Sequence, residues 1–292
     1  MASLEKGMQN IIRDWGTKFL VNSTNAWMRE FKRTGTIPKA PVAKAAKMVG
    51  TLDELKKVLL GWSLRAYQKN YKRTTGSVAV GPEFEQVISQ LTYRTGQAAE
   101  ATYTDLQAEF YNSTRKFMGK LEAHNAKHGV PLSVSYVSRQ LRGIPGASPY
   151  NRAGAPEPPS YRFKGKKLRT FGTNGINGSR DPFQVAARAR VIARTELTQA
   201  RNDAQLEGFK ATGRKYGMWV AFNNDQTRRT HKELDGKIVE IGQPFEWNSP
   251  GYGQVSAMAP GDASLPAGER INCRCSLVAA TEKQFLRQEG RL

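Results

Sequence analysis

The sequence predicts an α+β protein: a mainly helical N-terminal region over 1–142, a Gly/Pro-rich basic linker or arm over 143–182, and a small mixed α+β C-terminal domain over 183–292. Three observations carry that prediction. Apolar residues recur at steps of three and four through the first 128 residues, 13 of the 40 residues from 143 to 182 are Gly or Pro, and short strand-like runs appear only after Gly213.

Each element has a local reason. From Leu4 to Phe31 the positions Met8, Ile11, Ile12, Trp15, Phe19, Ala26, Trp27 and Phe31 form one buried helical stripe, which stops at the breakers Gly35 and Pro38. Thr51 offers a cap for the next helix, with Glu54 as its capping-box partner and Leu55, Val58, Leu59, Trp62 and Ala66 as the buried face. A third helical stretch runs from about Pro82 to His128, with an interruption expected near Gly96. Asp181 and Pro182 read as N-cap and first residue of a helix whose face is Ala186, Ala189, Ala193, Leu197, Ala200 and Ala204, ended by Gly213. Beyond it the pattern predicts a strand over 218–222, a turn over 223–225, a short helix over 227–234, a strand over 237–241, a loop over 248–268 and a last strand over 271–278.

Charge is the strongest compositional fact. The chain carries 45 Lys and Arg against 25 Asp and Glu, and residues 1–180 hold 29 of the bases and 12 of the acids, a net +17 that leaves only +3 for 181–292. A lopsided field of that sign favours polyanions, nucleic acid first, through counterion release that needs no base sequence. Within the linker, Lys164, Lys166, Lys167 and Arg169 cluster as the candidate DNA-contacting group. An arm of this kind lies along phosphates, threads across a partner protein, or serves as a spacer. The N-terminal stretch lacks the apolar core of a secretory signal, and no apolar run approaches bilayer length, so no membrane partner is expected.

Both cysteines, Cys273 and Cys275, fall in the heptapeptide INCRCSL. At i and i+2 of an extended strand they would stand roughly 6.5 Å apart, near the limit for a disulfide, so they read as reduced thiols. On a strand they would share one face, and His231 with Asp225, Asp235 or Asp262 could complete a metal site. Two readings stand side by side: a structural zinc on His231, Cys273 and Cys275, or core packing with His231 hydrogen-bonded to a nearby acid or backbone group. The segment from Asp225 to His231 also admits a metal-dependent nuclease, although no second carboxylate cluster, nucleophile elbow or phosphate-cradling loop accompanies it, so no catalytic residue is assigned. His124 and His128, four residues apart at a polar helix end, read as solvated.

The C-terminal third resembles the phage Mu protein F-like family of minor head proteins, related to the SPP1-type head morphogenesis proteins. The resemblance rests on ARTELTQARNDA at 193–204, Trp219, DQTRRTHKELDGK at 225–237, Pro244 with Phe245, and INCRCSL, in that order. It covers about residues 183–280 and carries over Arg194, Glu196, Trp219, Asp225, Arg228, His231, Asp235, Gly236, Cys273 and Cys275 as signature positions. The resemblance implies a structural, non-enzymatic virion protein inside the head, present in the host cytoplasm during assembly. It further implies portal or major capsid protein as partner and roles in head morphogenesis and genome packaging or ejection, while the charge distribution adds contact with double-stranded DNA without sequence preference. A scaffolding or packaging factor absent from the virion is the alternative within the same biology.

Overall fold

The computed structural model describes residues 2–34, 51–128, 162–163, 166–167 and 185–292. Three long helices come first: α1 (Ala2–Thr34), α2 (Leu52–Thr75) and α3 (Pro82–His128). A two-residue pair, β1 (Arg162–Phe163) and β2 (Lys166–Lys167), precedes α4 (Val185–Ala211). The remainder runs β3 (Tyr216–Val220), α5 (Arg229–Glu233), β4 (Ile238–Glu240), β5 (Phe245–Ser249), β6 (Gly253–Ala257), α6 (Ala267–Arg270), β7 (Ser276–Ala280) and α7 (Glu282–Gln288). The fold is α+β, helical in its N-terminal part with small sheets in its C-terminal part. Among the described residues no helix is long and apolar enough to cross a membrane.

Two compact units partition the chain. One comprises Asn10–Leu55 and Ala99–Arg188. Its core is aromatic: Trp15 stacks on Phe19 at 5.8 Å between ring centroids, Tyr103 meets Phe19 edge-on at 5.2 Å, and Trp15 Nε1 donates to the Thr51 carbonyl at 2.9 Å. Thr51 caps α2 by accepting the Glu54 amide at 3.2 Å, as the capping-box reading requires.

The other unit comprises Met1–Gln9, Lys56–Ala98 and Ala189–Leu292, so the C-terminal elements share a unit with parts of α1, α2 and α3. The alanine seam of α4 is buried through Ala189, Ala193, Leu197, Ala200 and Ala204, and small side chains there let neighbours approach closely. Gly208 shows how closely, because a Cβ at that position would come within 2.8 Å of the Thr74 side chain. Gly213, at φ +65°, ends the helix while the Arg214 amide returns to the Phe209 carbonyl at 2.9 Å. An antiparallel sheet of order β4-β3-β7 follows, with Met218 opposite both Ile238 and Val278 and Trp219 opposite Leu277. The β5–β6 hairpin supplies Phe245, Val255 and Ala257 to the same core as Trp219, Leu234, Cys273 and Cys275.

Three local expectations meet a different outcome. Helix α3 runs unbroken through Gly96, since one glycine costs about 1 kcal/mol against alanine and the buried Leu91, Thr95 and Ala99 hold both sides. The stretch 248–268 is not all loop: Pro250 and Gly251 (φ +86°) turn the chain back, and β5 and β6 pair across them. The last strand begins at Ser276, because Asn272 at φ +63° breaks extended geometry before the cysteines are reached. The expected alternation nonetheless holds through the cysteines, with Cys273, Cys275 and Leu277 buried and Arg274 and Ser276 less so, ahead of the paired strand itself. Asp181 and Pro182 lie outside the described residues, as do Lys164 and Arg169; Lys166 and Lys167 are described only as the strand β2.

Candidate metal centre

Helix α5 is a single turn, and it exists to carry His231. Arg228, at its N-cap, reaches over to the Ile271 carbonyl with Nη2 at 2.5 Å, tying the turn to the segment that bears the cysteines. At its other end the Asp235 carboxylate accepts the Ala221 amide at 2.8 Å and the Asn223 side chain, and Gly236 supplies the φ of +81° that starts β4. Leu234 packs into the core beneath.

The cysteine loop is held from α4. Arg194 Nη1 donates to Asn272 Oδ1 at 2.6 Å, and Thr195 Oγ1 accepts the Asn272 amide at 2.9 Å, which together fix the left-handed residue immediately before Cys273. One turn and more along α4, Arg201 and Asn202 both donate to the Cys275 carbonyl, at 2.7 and 3.1 Å. Asn202 is fully buried and also donates to the Pro260 carbonyl at 2.7 Å while accepting the Leu277 amide at 3.1 Å. Replacing Asn202 by Ala orphans a carbonyl and an amide at about 1–3 kcal/mol each, so a loss of about 3 kcal/mol is expected in urea denaturation. Asn202→Asp should cost at least as much, because it presents an acceptor to two carbonyl oxygens.

These tethers bring three donors together. His231 Nδ1 lies 3.4 Å from Cys275 Sγ and 3.7 Å from Cys273 Sγ, and all three side chains are buried. The thiols are free. They form the one group of three or more His, Cys, Asp or Glu donors that converges among the described residues. The Cys275 thiol is pulled down to about 5, foremost by its hydrogen bond with Cys273, with His231 adding to that pull against the opposing effect of burial. The same hydrogen bond and burial push Cys273 up. The two thiols are thus pushed in opposite directions.

Behind the ring stands Glu269, which the sequence reading missed. Its Oε2 lies 2.9 Å from His231 Nε2 and accepts from Thr230 Oγ1 at 3.0 Å, while Oε1 accepts from Ser249 Oγ. Only 4 % of Glu269 is exposed, so it is a buried carboxyl group held by two hydroxyls, while the His231 ring nitrogen, though close, lies outside hydrogen-bond geometry. A Glu four residues before Cys273 carries no pattern of its own; a signal would have required knowing that Ser249 and Thr230 converge on it. Trp219, fully buried, closes the cluster by meeting His231, Phe245 and Trp247 edge-on at 5.4 to 5.7 Å.

The remaining predicted positions have other places. Asp225 is exposed in the turn before α5 and does not join the donors. Asp262 accepts the Met258 and Ser264 amides, both at 2.9 Å, and Asp235 is the cap described above. Glu196 faces Arg94, whose Nε is 3.6 Å away, and Arg94 Nη1 donates to Asp203 at 2.8 Å. Arg94 is the second functional-looking residue that the sequence did not flag. Most signature positions are thus scaffold around the His231 cluster.

Comparison with known proteins finds similarity over the same segment. Residues 171–278 match the family described as Phage Mu protein F like protein. The chain is 33 % identical over 95 residues to "Minor head protein GP7" of Bacillus phage SPP1, covering 32 % of this chain and 29 % of that protein. It is 30 % identical over 102 residues to "Uncharacterized protein YqbB" of Bacillus subtilis (strain 168), covering 34 % and 32 %. It is 31 % identical over 96 residues to "NAD(+)--arginine ADP-ribosyltransferase EFV" of Enterococcus faecalis (strain ATCC 700802 / V583), covering 31 % and 18 %. The match spans less than a third of the length of each of the first two relatives, or about that. No solved structure matches. Over residues 171–278, little more than a third of its length, the chain is thus similar to the phage Mu protein F-like family.

Proposed function

We propose that this protein is a phage minor head protein that acts in head morphogenesis, resides in the virion, and has no enzymatic role. The single observation that carries the reading is the match of residues 171–278 to the family together with the similarity to a protein named as a minor head protein. Docking on portal or major capsid protein, a location inside the head, and a part in genome packaging or ejection follow as finer parts of the same proposal. Mass spectrometry of purified particles tests it: the chain should be found in finished virions, and its absence there would favour a scaffolding or packaging factor.

The charge distribution supports contact with DNA. The net +17 of residues 1–180, with Lys164, Lys166, Lys167 and Arg169 at its C-terminal end, would serve to neutralise phosphates without reading sequence. Binding of the full chain to duplex DNA should weaken steeply with salt. Replacing those four residues by Ala should reduce the slope of log K against log [salt] by up to about 3.6, from about 0.9 per phosphate contact. An unchanged slope would remove these residues from the interface. The competing nuclease on Asp225 and His231 predicts plasmid cleavage with added divalent metal, lost in His231→Ala; an intact plasmid would reject it.

A further inference from the structure

We infer that His231 Nδ1, Cys273 Sγ and Cys275 Sγ are the three protein ligands of a thiolate-preferring divalent metal of the zinc class, with a fourth position open to an exchangeable ligand from outside the chain. The inference concerns this site alone and stands or falls independently of the head-protein proposal.

Distances speak first. A tetrahedral zinc with Zn–S of about 2.3 Å and Zn–N of about 2.05 Å separates nitrogen from sulfur by about 3.6 Å. The two separations here are 3.4 and 3.7 Å, on either side of that value. All three donor atoms lie within 4.8 Å of one another, so a single ion can reach each of them after small shifts.

Ordinary hydrogen bonding accounts for less of this arrangement. Glu269 Oε2 stands 2.9 Å from Nε2 outside hydrogen-bond geometry, and Nδ1 of a neutral ring offers one lone pair at most. That lone pair can take one S–H, yet two sulfurs face it at nearly equal distance. A shared cation satisfies both. The buried carboxylate is also hard to explain by packing, because desolvating it is costly and an apolar side chain would fill the space. A carboxylate on the far nitrogen of a ligating His orients the ring and raises its basicity, which is the arrangement that metal-bound imidazoles adopt. Two sulfurs and one imidazole select zinc-class ions over magnesium or calcium.

Among the described residues no further protein ligand reaches the fourth position. Asp225 is exposed, and the Asp235 and Asp262 carboxylates are engaged with backbone amides elsewhere. On the open side of the donors lies a pocket of about 30 Å³, bounded by Phe222, Asn224, Thr227, Arg228 and Asn272, with His231 and both cysteines in its wall. That volume admits a water or one donor group of a small ligand. Closed structural zinc sites take four protein ligands, whereas three with an open face leave the ion able to exchange.

The test uses the full chain, zinc and cobalt(II). Elemental analysis should find about one zinc per chain, and cobalt(II) should give thiolate-to-metal absorption that Cys273→Ser or Cys275→Ser diminishes. Glu269→Gln keeps all three ligands, so cobalt should still bind at saturation but with affinity lowered about 10–100-fold. Adding imidazole should shift the visible cobalt bands of the unaltered protein. Where a cysteine variant fails to fold, the unaltered chain and Glu269→Gln decide the matter. A folded chain that takes up neither ion and whose thiols react with alkylating agent regardless of added zinc overturns the site; cobalt bands that imidazole leaves unmoved overturn the open fourth position.

Discussion

Trp219→Ala should destabilise the C-terminal fold by about 4 kcal/mol, within the 3–5 kcal/mol that truncating a buried aromatic costs. The side chain is fully buried, and its ring meets His231, Phe245 and Trp247 edge-on. Truncation therefore removes the surface on which α5 and the β5–β6 hairpin meet. Each lost edge-to-face pair adds about 0.5–1.5 kcal/mol to the burial term, so the site cannot collapse without displacing His231. Trp219→Phe should lose roughly half as much, since it keeps one ring in the cavity. The check is the urea midpoint of each variant at constant m-value. A Trp219→Ala midpoint within 1 kcal/mol of the parent would mean that the cluster is not the keystone of this core.

Arg94→Met should cost about 3–5 kcal/mol at neutral pH, the penalty for removing one partner of a buried ion pair. Its guanidinium stands between Glu196 and Asp203, and Glu196 keeps only 3 % of its side chain in solvent. Burial already raises the Glu196 carboxyl above its ordinary value, with Arg94 pulling it back down. A carboxyl whose folded value is raised takes up a proton more readily folded than unfolded, so stability falls as pH climbs from the ordinary carboxylate range through the folded value. Without Arg94 that rise is larger. The deficit of Arg94→Met should therefore shrink as pH is lowered from 7 toward 5 and Glu196 takes up a proton. Denaturation of both proteins across that range measures it; a deficit that is flat or grows on acidification would show that Arg94 does not act on Glu196 by charge.

Much of the architecture is legible from residue order. Apolar spacing locates α1, α2 and the buried seam of α4, Thr51 and Gly213 mark helix ends, and the strands around Trp219 and Val239 emerge from β-type runs. Those features are local, and each depends on a few neighbours in the chain. Gly96 and the stretch 248–268 mislead for the converse reason: packing of Leu91 and Ala99 outweighs a weak breaker, and a Pro-Gly turn inside a polar loop can still nucleate a hairpin once Phe245 and Val255 have a core to enter.

The candidate site divides along the same line. Residue types alone name His231, Cys273 and Cys275, because imidazole and thiols are scarce in this chain and two of them stand one residue apart. How they meet is a different matter: pairing begins only at Ser276, and the cysteine stretch is anchored by Asn272 in a left-handed conformation clamped by Arg194 and Thr195 across 77 residues or more. Glu269, Asn202 and Arg94 belong wholly to the second kind, since a buried polar side chain acquires its role from partners distant in sequence. From residue order alone come the α+β class, a resemblance of the C-terminal segment to a known family, and three candidate donors, because apolar spacing, motif order and scarce residue types are all local to the chain. Only the tertiary structure decided which carboxylate backs the histidine, which charges are paired and which side of the cluster is open, because desolvation and long-range hydrogen bonding exist only once distant segments share one interior.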